Sequence, residues 1–129
     1  MEKLEKYISL SKTYLENAEK MINENEYSKA GEMLWGAIAT LLKAIGIIYD
    51  KPIRNHRELI EIAKYIALVE NDEELRKAIV QYAQALHANY YEEFIDMDEF
   101  PKYQIEVMKA YDKLFQLIIH SPKEIETAT

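Results

Sequence analysis

The residues best suited to chemistry in this sequence lie in the stretch KPIRNHREL, which begins at Lys51. Arg54 and Arg57 flank His56 there, and we call residues 51–57 the basic stretch. Arginine and lysine bind phosphate through charge-assisted hydrogen bonds, and an imidazole exchanges a proton near neutral pH. The whole protein has a formal net charge of −7, so a local cluster of bases is unusual in it. The cluster is therefore a candidate phosphate site. The alternative is a capped turn between two helices, whose charges hold no ligand.

His87 is the second candidate, because on a helical wheel it falls at the margin of an apolar face. Gln84 and Tyr91 lie about one turn away on the same side of the helix. A histidine in this position can act as a general acid or base. The alternative, which is the commoner role of such a histidine, is a hydrogen-bonded packing residue.

Several familiar kinds of site are excluded by composition and spacing. The sequence has no cysteine, and its 3 glycines are too few for a phosphate-binding glycine loop. Di-metal helical bundles place a glutamate three residues before each metal-binding histidine. The residues three positions before the histidines here are Ile53, Gln84 and Leu117. We therefore predict no metal site and no cofactor.

Length and composition predict a single soluble domain. The chain has 129 residues, 49% of them hydrophobic, and we place the domain in residues 1–120 with a flexible tail at 121–129. A pI near 5.0 argues against a broad nucleic-acid surface. The longest apolar stretch, residues 33–49, is interrupted by polar residues and glycine, so we expect no membrane span and a cytoplasmic location. Abundant lysine and isoleucine without cysteine are typical of a thermophile.

Hydrophobic residues at helical spacing predict an all-α fold of five helices, without strands. The predicted helices begin near Leu4, Tyr27, Asn55, Asn71 and Asp98, and Asn55 and Asn71 are predicted to cap the third and fourth. The second has the widest apolar arc and is expected at the centre. The residues expected to point inward from the fourth helix are Leu75, Ile79, Tyr82, Leu86, Tyr90 and Phe94. Gly31 and Gly36 each cost about 1 kcal/mol inside the second helix, which close approach of another helix backbone would offset.

Short connections between helices predict antiparallel neighbours and therefore an up-and-down bundle. In that topology the second–third and fourth–fifth connections share one end, which brings the basic stretch near the acids of residues 92–99. The residues then predicted to form a ligand-binding site are Lys43, Arg54, His56, Arg57, His87, Asn89 and Tyr91. The alternative is mutual neutralisation of opposite charges, in which each exposed pair contributes about 0–1 kcal/mol.

Three segments carry a resemblance to a known family. KAGEMLWGAIATLLKAIG from Lys29, NHREL from Asn55 and ALHANYYEE from Ala85 resemble the archaeal PaREP family of HEPN-like helical proteins, over roughly residues 5–118. The resemblance implies a HEPN-like up-and-down antiparallel bundle that commonly pairs as a homodimer. HEPN-like proteins include ribonucleases, non-catalytic partners of nucleotidyltransferases, and modules that bind nucleotides or RNA.

The ribonucleases of that superfamily carry an arginine followed, after four to six residues, by a histidine. Arg54, Arg57 and Arg76 all lack a histidine at that spacing, so no catalytic residue carries over. Arg76 and His87 lie about 16 Å apart along a helix, too far to act together in one chain.

Three functions follow as hypotheses. The first is a non-catalytic binding or regulatory module that contacts a nucleotide or RNA phosphate, held by Arg54 and Arg57 with Lys43 as a point charge. The second is a divergent ribonuclease that uses His87 with an arginine from a second subunit. The third is a purely structural bundle that binds a partner protein.

Overall fold

The computed structural model describes residues 2–121, and they form five helices with no strand among them. The helices are α1 (Glu2–Asn23), α2 (Tyr27–Ile48), α3 (His56–Val69), α4 and α5 (Phe100–Ile119). Helix α4 has three consecutive segments: α-helical Glu73–Lys77, π-helical Ala78–Ala83 and α-helical Gln84–Glu92. The prediction of an all-α protein with five helices is therefore confirmed. The predicted flexible tail lies outside the described residues, except for Ser121.

Helix α2 is the central element, as its wide apolar arc predicts. It contacts all four other helices, and most of its side chains are buried. By length and composition alone α2 is also apolar enough to cross a membrane, and 67% of its apolar window is buried inside the bundle. A core helix that packs on several neighbours has the same composition.

Side-chain caps fix the starts of α3 and α4. The Asn55 side chain accepts a hydrogen bond from the Glu58 N–H at 2.9 Å, which confirms the predicted cap of α3. The cap of α4 is Asp72, which accepts from the Leu75 N–H at 2.9 Å, one residue later than predicted. Asn71 instead has a φ of 51° and ends α3, because asparagine tolerates the left-handed conformation better than most residues.

Helix α3 runs in the same direction as α2, which departs from the strictly alternating bundle predicted from short connections. Its first residue, His56, packs on Trp35 near the middle of α2, with ring centroids 5.5 Å apart. Farther along α3, Tyr65 packs edge-on against Tyr49 at the end of α2, at 6.1 Å. The connection after α2 therefore folds back along that helix before α3 begins.

The prediction that the second–third and fourth–fifth connections share one end is consequently wrong. Phe100, at the start of α5, packs against Tyr27 at the start of α2, with ring centroids 5.1 Å apart. The acids of residues 92–99 therefore lie beside the α1–α2 turn, whereas the basic stretch lies along the second half of α2. The parallel α2–α3 pair is the physical reason, since it shifts every later connection to the opposite end.

The π-helical segment changes which residues of α4 face the core. A π-helical turn takes in one more residue than an α-helical turn, so it rotates the residues that follow it. Beyond that segment Leu86 and Asn89 are buried. Tyr90 and Phe94, which were predicted to point inward, are exposed. Phe94 also lies beyond the helix, because α4 ends where Glu93 adopts a left-handed φ of 48°.

Candidate functional site

Three aromatic side chains from three helices meet at one place on the bundle, and we call Trp35, His56 and His87 the ring cluster. The rings of Trp35 and His87 stack with centroids 5.1 Å apart, and the two imidazole centroids are 6.2 Å apart. Trp35 is only 8% exposed, whereas His56 lies at the surface. The indole is therefore a buried platform on which both imidazoles rest.

Each imidazole of the ring cluster is oriented by one polar side chain. His87 Nδ1 lies 2.7 Å from Glu32 Oε1, and a carboxylate can only accept, so Nδ1 donates. His56 Nε2 lies 2.9 Å from Gln84 Oε1. The amide of Gln84 also donates through Nε2 to the Val80 carbonyl at 2.7 Å, which turns its oxygen towards His56. His56 Nε2 is therefore a donor as well.

The opposite nitrogen of each imidazole remains available. No hydrogen bond from any of residues 2–121 reaches His56 Nδ1 or His87 Nε2. Tyr91, which is 71% exposed, places its ring edge-on to His87 at 5.8 Å. The cluster thus has two oriented imidazoles, each with one nitrogen free to bind a ligand.

A cavity of about 280 Å³ adjoins the ring cluster, and positively charged side chains form part of its lining. Its lining includes Trp35, Lys43, Arg54 and His56. Within the part of the chain that the structure describes, Lys43 has no ion pair. Lys43 is therefore the cation at this cavity whose charge is not already neutralised.

The two arginines of the basic stretch are engaged elsewhere. Arg54 holds Glu58 in a two-pronged contact, with Nη2 to Oε2 at 2.7 Å and Nε to Oε1 at 3.2 Å. Arg57 is largely exposed and lies 3.7 Å from Glu61 on its own helix. A phosphate bound by these two guanidinium groups would compete with both carboxylates, so the structure favours Lys43 as the principal cation.

The structure separates Asn89 from the other predicted site residues. Asn89 is buried, and its side-chain oxygen accepts the Ile95 N–H at 2.7 Å. It lines a different cavity, of about 360 Å³, beside the α1–α2 turn. Asn89 therefore shapes the α4–α5 connection and takes no part in the ring cluster.

Three members of this site were not predicted: Glu32, Trp35 and Gln84. A pattern in α2 indicates two of them, because Glu32, Trp35 and Lys43 are spaced three and eight residues apart, about one and two turns, on one helix face. The sequence indicates Gln84 only as a neighbour of His87, because its contact with His56 depends on the packing of α3 against α4. Among residues 2–121 no group of three or more histidine and acidic side chains is placed to hold a metal ion.

The contact between Arg54 and Glu58 gives the start of α3 a defined response to pH. Hydrogen bonds from the Arg54 side chain, and then from the Arg54 N–H at 2.8 Å, lower the pKa of the Glu58 carboxyl from 4.5 to about 2. A carboxyl whose pKa is lowered by folding stabilises the fold in its ionised form. This stabilisation is complete above about pH 4.5 and is lost as the pH falls towards about 2.

Replacing Glu58 by glutamine should therefore destabilise the protein at pH 6 more than at pH 3. Urea unfolding of wild type and Glu58→Gln at both pH values measures the difference. The matched control is Glu61→Gln, whose carboxylate has a longer and more exposed contact with Arg57. A destabilisation of equal size at pH 6 and pH 3 would contradict the assignment.

Comparison with protein families adds one finding. A family model described as the Archaeal PaREP1/PaREP8 family matches residues 6–111. The matched range contains the whole ring cluster and the side chains that orient it. No curated protein is similar enough to match the chain.

Proposed function

This chain belongs to the archaeal PaREP1/PaREP8 family, and on that premise we propose that it is a non-catalytic, HEPN-like binding or regulatory module that contacts the phosphate of a nucleotide or RNA. The site is the ring cluster together with Lys43. A homodimeric state, a nucleotidyltransferase partner and a cytoplasmic location belong to the same proposal, as the resemblance and the composition predict.

The observation that carries the proposal is that the ammonium group of Lys43 and two free imidazole nitrogens, unpaired within residues 2–121, lie at or beside one cavity. His56 and Lys43 line it, and His87 stacks on the tryptophan that forms its wall. A phosphate accepts several hydrogen bonds at once, and bonds from charged donors are the strongest. The ammonium group of Lys43 supplies one such donor, and each imidazole supplies another when it is protonated.

The size of the cavity limits what enters it. Small-molecule sites usually occupy roughly 300–1,000 Å³, and the cavity beside Lys43 has about 280 Å³. This space suits one phosphate with its sugar, while a base would lie outside the cavity.

Replacing Lys43 by alanine should weaken binding of a nucleotide about tenfold, because removal of a charge-assisted hydrogen bond costs about 1.5–3 kcal/mol. The measurement is an NMR titration of ¹⁵N-labelled protein with AMP, inorganic phosphate and a short single-stranded RNA, following residues 51–57 and 84–94. We expect shifts of the imidazole signals of His56 and His87 and of the indole N–H of Trp35.

The matched control is Arg57→Ala, which removes the same charge from the exposed side of α3 and should leave the affinity nearly unchanged. Equal losses in both variants would indicate diffuse attraction to the basic stretch. If wild-type protein shows no shift with any of the three ligands, the chain has no phosphate site here. A purely structural bundle would then be the better account of its function.

A divergent ribonuclease acting across a dimer is the second candidate, and the contact between Glu32 and His87 favours it. A carboxylate on Nδ1 is how many enzymes hold a histidine that acts as a general base through Nε2. The spacing of arginine and histidine typical of the superfamily is absent, so the second group would be His56 or an arginine from a partner subunit. The RNA used in the titration tests this directly: cleavage that His87→Ala abolishes supports it, and intact RNA after incubation with wild type removes it.

A further inference from the structure

A second surface, at the C-terminal end of α4 beyond His87, combines exposed apolar side chains with unneutralised charge. Residues 90–99, which we call the acidic aromatic segment, include the end of α4 and most of the connection to α5. Tyr91, Phe94 and Met97 there are 71%, 51% and 66% exposed. The acids between and beside them are Glu92, Glu93, Asp96, Asp98 and Glu99.

These carboxylates have no cationic partner among residues 2–121. None of the ion pairs or side-chain hydrogen bonds among residues 2–121 includes any of the five. The segment contains no lysine or arginine. Like charges this close repel one another, so a cationic partner would gain attraction and relieve that repulsion at the same time.

The exposed side chains are held in place by buried neighbours. The Ile95 N–H donates to the buried side chain of Asn89, and the Phe100 N–H donates to the Asp96 carbonyl at 3.1 Å. Phe100 is itself buried against Tyr27. With Ile95 and Phe100 turned inward, Phe94 and Met97 are turned outward from an ordered backbone. A surface that is already ordered loses less entropy when a partner binds.

A cavity of about 360 Å³ lies directly beside these residues. Its lining includes Tyr27, Glu93, Ile95, Met97 and Phe100. The cavity is therefore a place where an aliphatic side chain of a partner can insert, next to carboxylates that attract its charged neighbours. Such insertion of a few anchors, surrounded by polar contacts, is the usual anatomy of a protein interface.

We propose that the acidic aromatic segment and its adjoining cavity dock an amphipathic, lysine- or arginine-rich segment of a partner protein. The partner places aliphatic side chains against Phe94, Met97 and the cavity, and its cations against the carboxylates on either side. The partner needs both aliphatic and cationic side chains. A purely basic ligand leaves the apolar side chains of the surface exposed, and a purely apolar ligand buries its carboxylates without partners.

The experiment uses a synthetic amphipathic peptide of leucine and lysine as probe, with a leucine and glutamate peptide of the same pattern as its control. NMR titration of ¹⁵N-labelled protein follows residues 90–99. The lysine peptide should shift these signals and bind more weakly as salt is raised, and the glutamate peptide should not bind. The double change Phe94→Ser with Met97→Ser should weaken binding about tenfold or more.

The matched control variant is Leu68→Ser with Ile105→Ser, which removes two apolar side chains that are 79% and 55% exposed on other helices. Full affinity in this control, with loss in the Phe94 and Met97 variant, supports the proposal. Equal affinity in both variants means that the peptide senses only net charge and overturns it. Sedimentation of the protein alone gives the remaining outcome: if Phe94→Ser with Met97→Ser converts a dimer to a monomer, a second copy covers this surface and the proposal is wrong.

Discussion

Leu86→Ala is expected to lower the free energy of unfolding by about 3 kcal/mol, because leucine-to-alanine changes in a core typically cost about 2–5 kcal/mol. Leu86 is completely buried. Leu86 faces Gly31 of α2, and a methyl group added to that glycine would lie 3.2 Å from Leu86 Cδ2. Glycine has no side chain that could move into the vacated space, so the cavity persists. Urea unfolding followed by circular dichroism measures the change.

The chain offers both a control and a partial rescue for this change. Leu68→Ala removes the same atoms from a side chain that is 79% exposed, and surface changes of this kind usually stay within about 0.5 kcal/mol. Gly31→Ala in the Leu86→Ala background places a methyl group in the cavity and should recover part of the loss. If the leucine changes at 86 and 68 destabilise equally, the close packing of α4 on α2 is not as described.

Gly46→Ala is expected to lower the free energy of unfolding by about 1–2 kcal/mol, although alanine favours a helix by about 1 kcal/mol over glycine. The added methyl group would lie 2.7 Å from the Lys51 carbonyl oxygen. The Lys51 N–H also donates to the Gly46 carbonyl at 2.7 Å, so the two backbones are tied together at this point. The connection can move away only by breaking that bond, and His56 would then lose its place on Trp35.

Two measurements separate this effect from a general loss of stability. Urea unfolding gives the free energy, and nuclear Overhauser contacts between the Trp35 indole and the His56 ring report on the fold-back connection. Gly31→Ala is the matched control, since its nearest neighbour is a leucine side chain that can adjust. Gly31→Ala should change stability little and keep the ring contacts. An alanine at position 46 that leaves both quantities intact would show that no close backbone approach exists there.

The glycines of α2 show which contacts could be predicted from the sequence alone and which could not. It indicated that glycine inside α2 must be offset by close packing, and Gly31 and Gly36 were expected to meet another helix backbone. The structure places side chains there instead, the leucine at 86 and the ring of Tyr14. The close backbone approach occurs at Gly46. The sequence could not identify this glycine, because its neighbour is the connection between α2 and α3, and hydrophobic periodicity gives no information on the path of a connection.

The candidate site divides in the same way. Lys43, His56 and His87 could be selected from residue type and from position on a helix face. Their convergence was expected from an alternating bundle, yet they meet for another reason. The connection after α2 returns along that helix and delivers His56 to Trp35. These predicted residues lie near one another, whereas the predicted path of the chain was wrong, and the acids of residues 92–99 belong to a different surface.

The sequence by itself determined the helical class, the number of helices, the central place of α2 and the cap of α3. These depend on local periodicity and on side chains that bond to nearby backbone, so the information lies within a few residues. Only the tertiary structure decided the direction of α3, the rotation introduced by the π-helical segment and the stacking of two histidines on Trp35. Those features arise from packing between segments that are distant in sequence, where side chains from several helices must fit together without gaps or clashes.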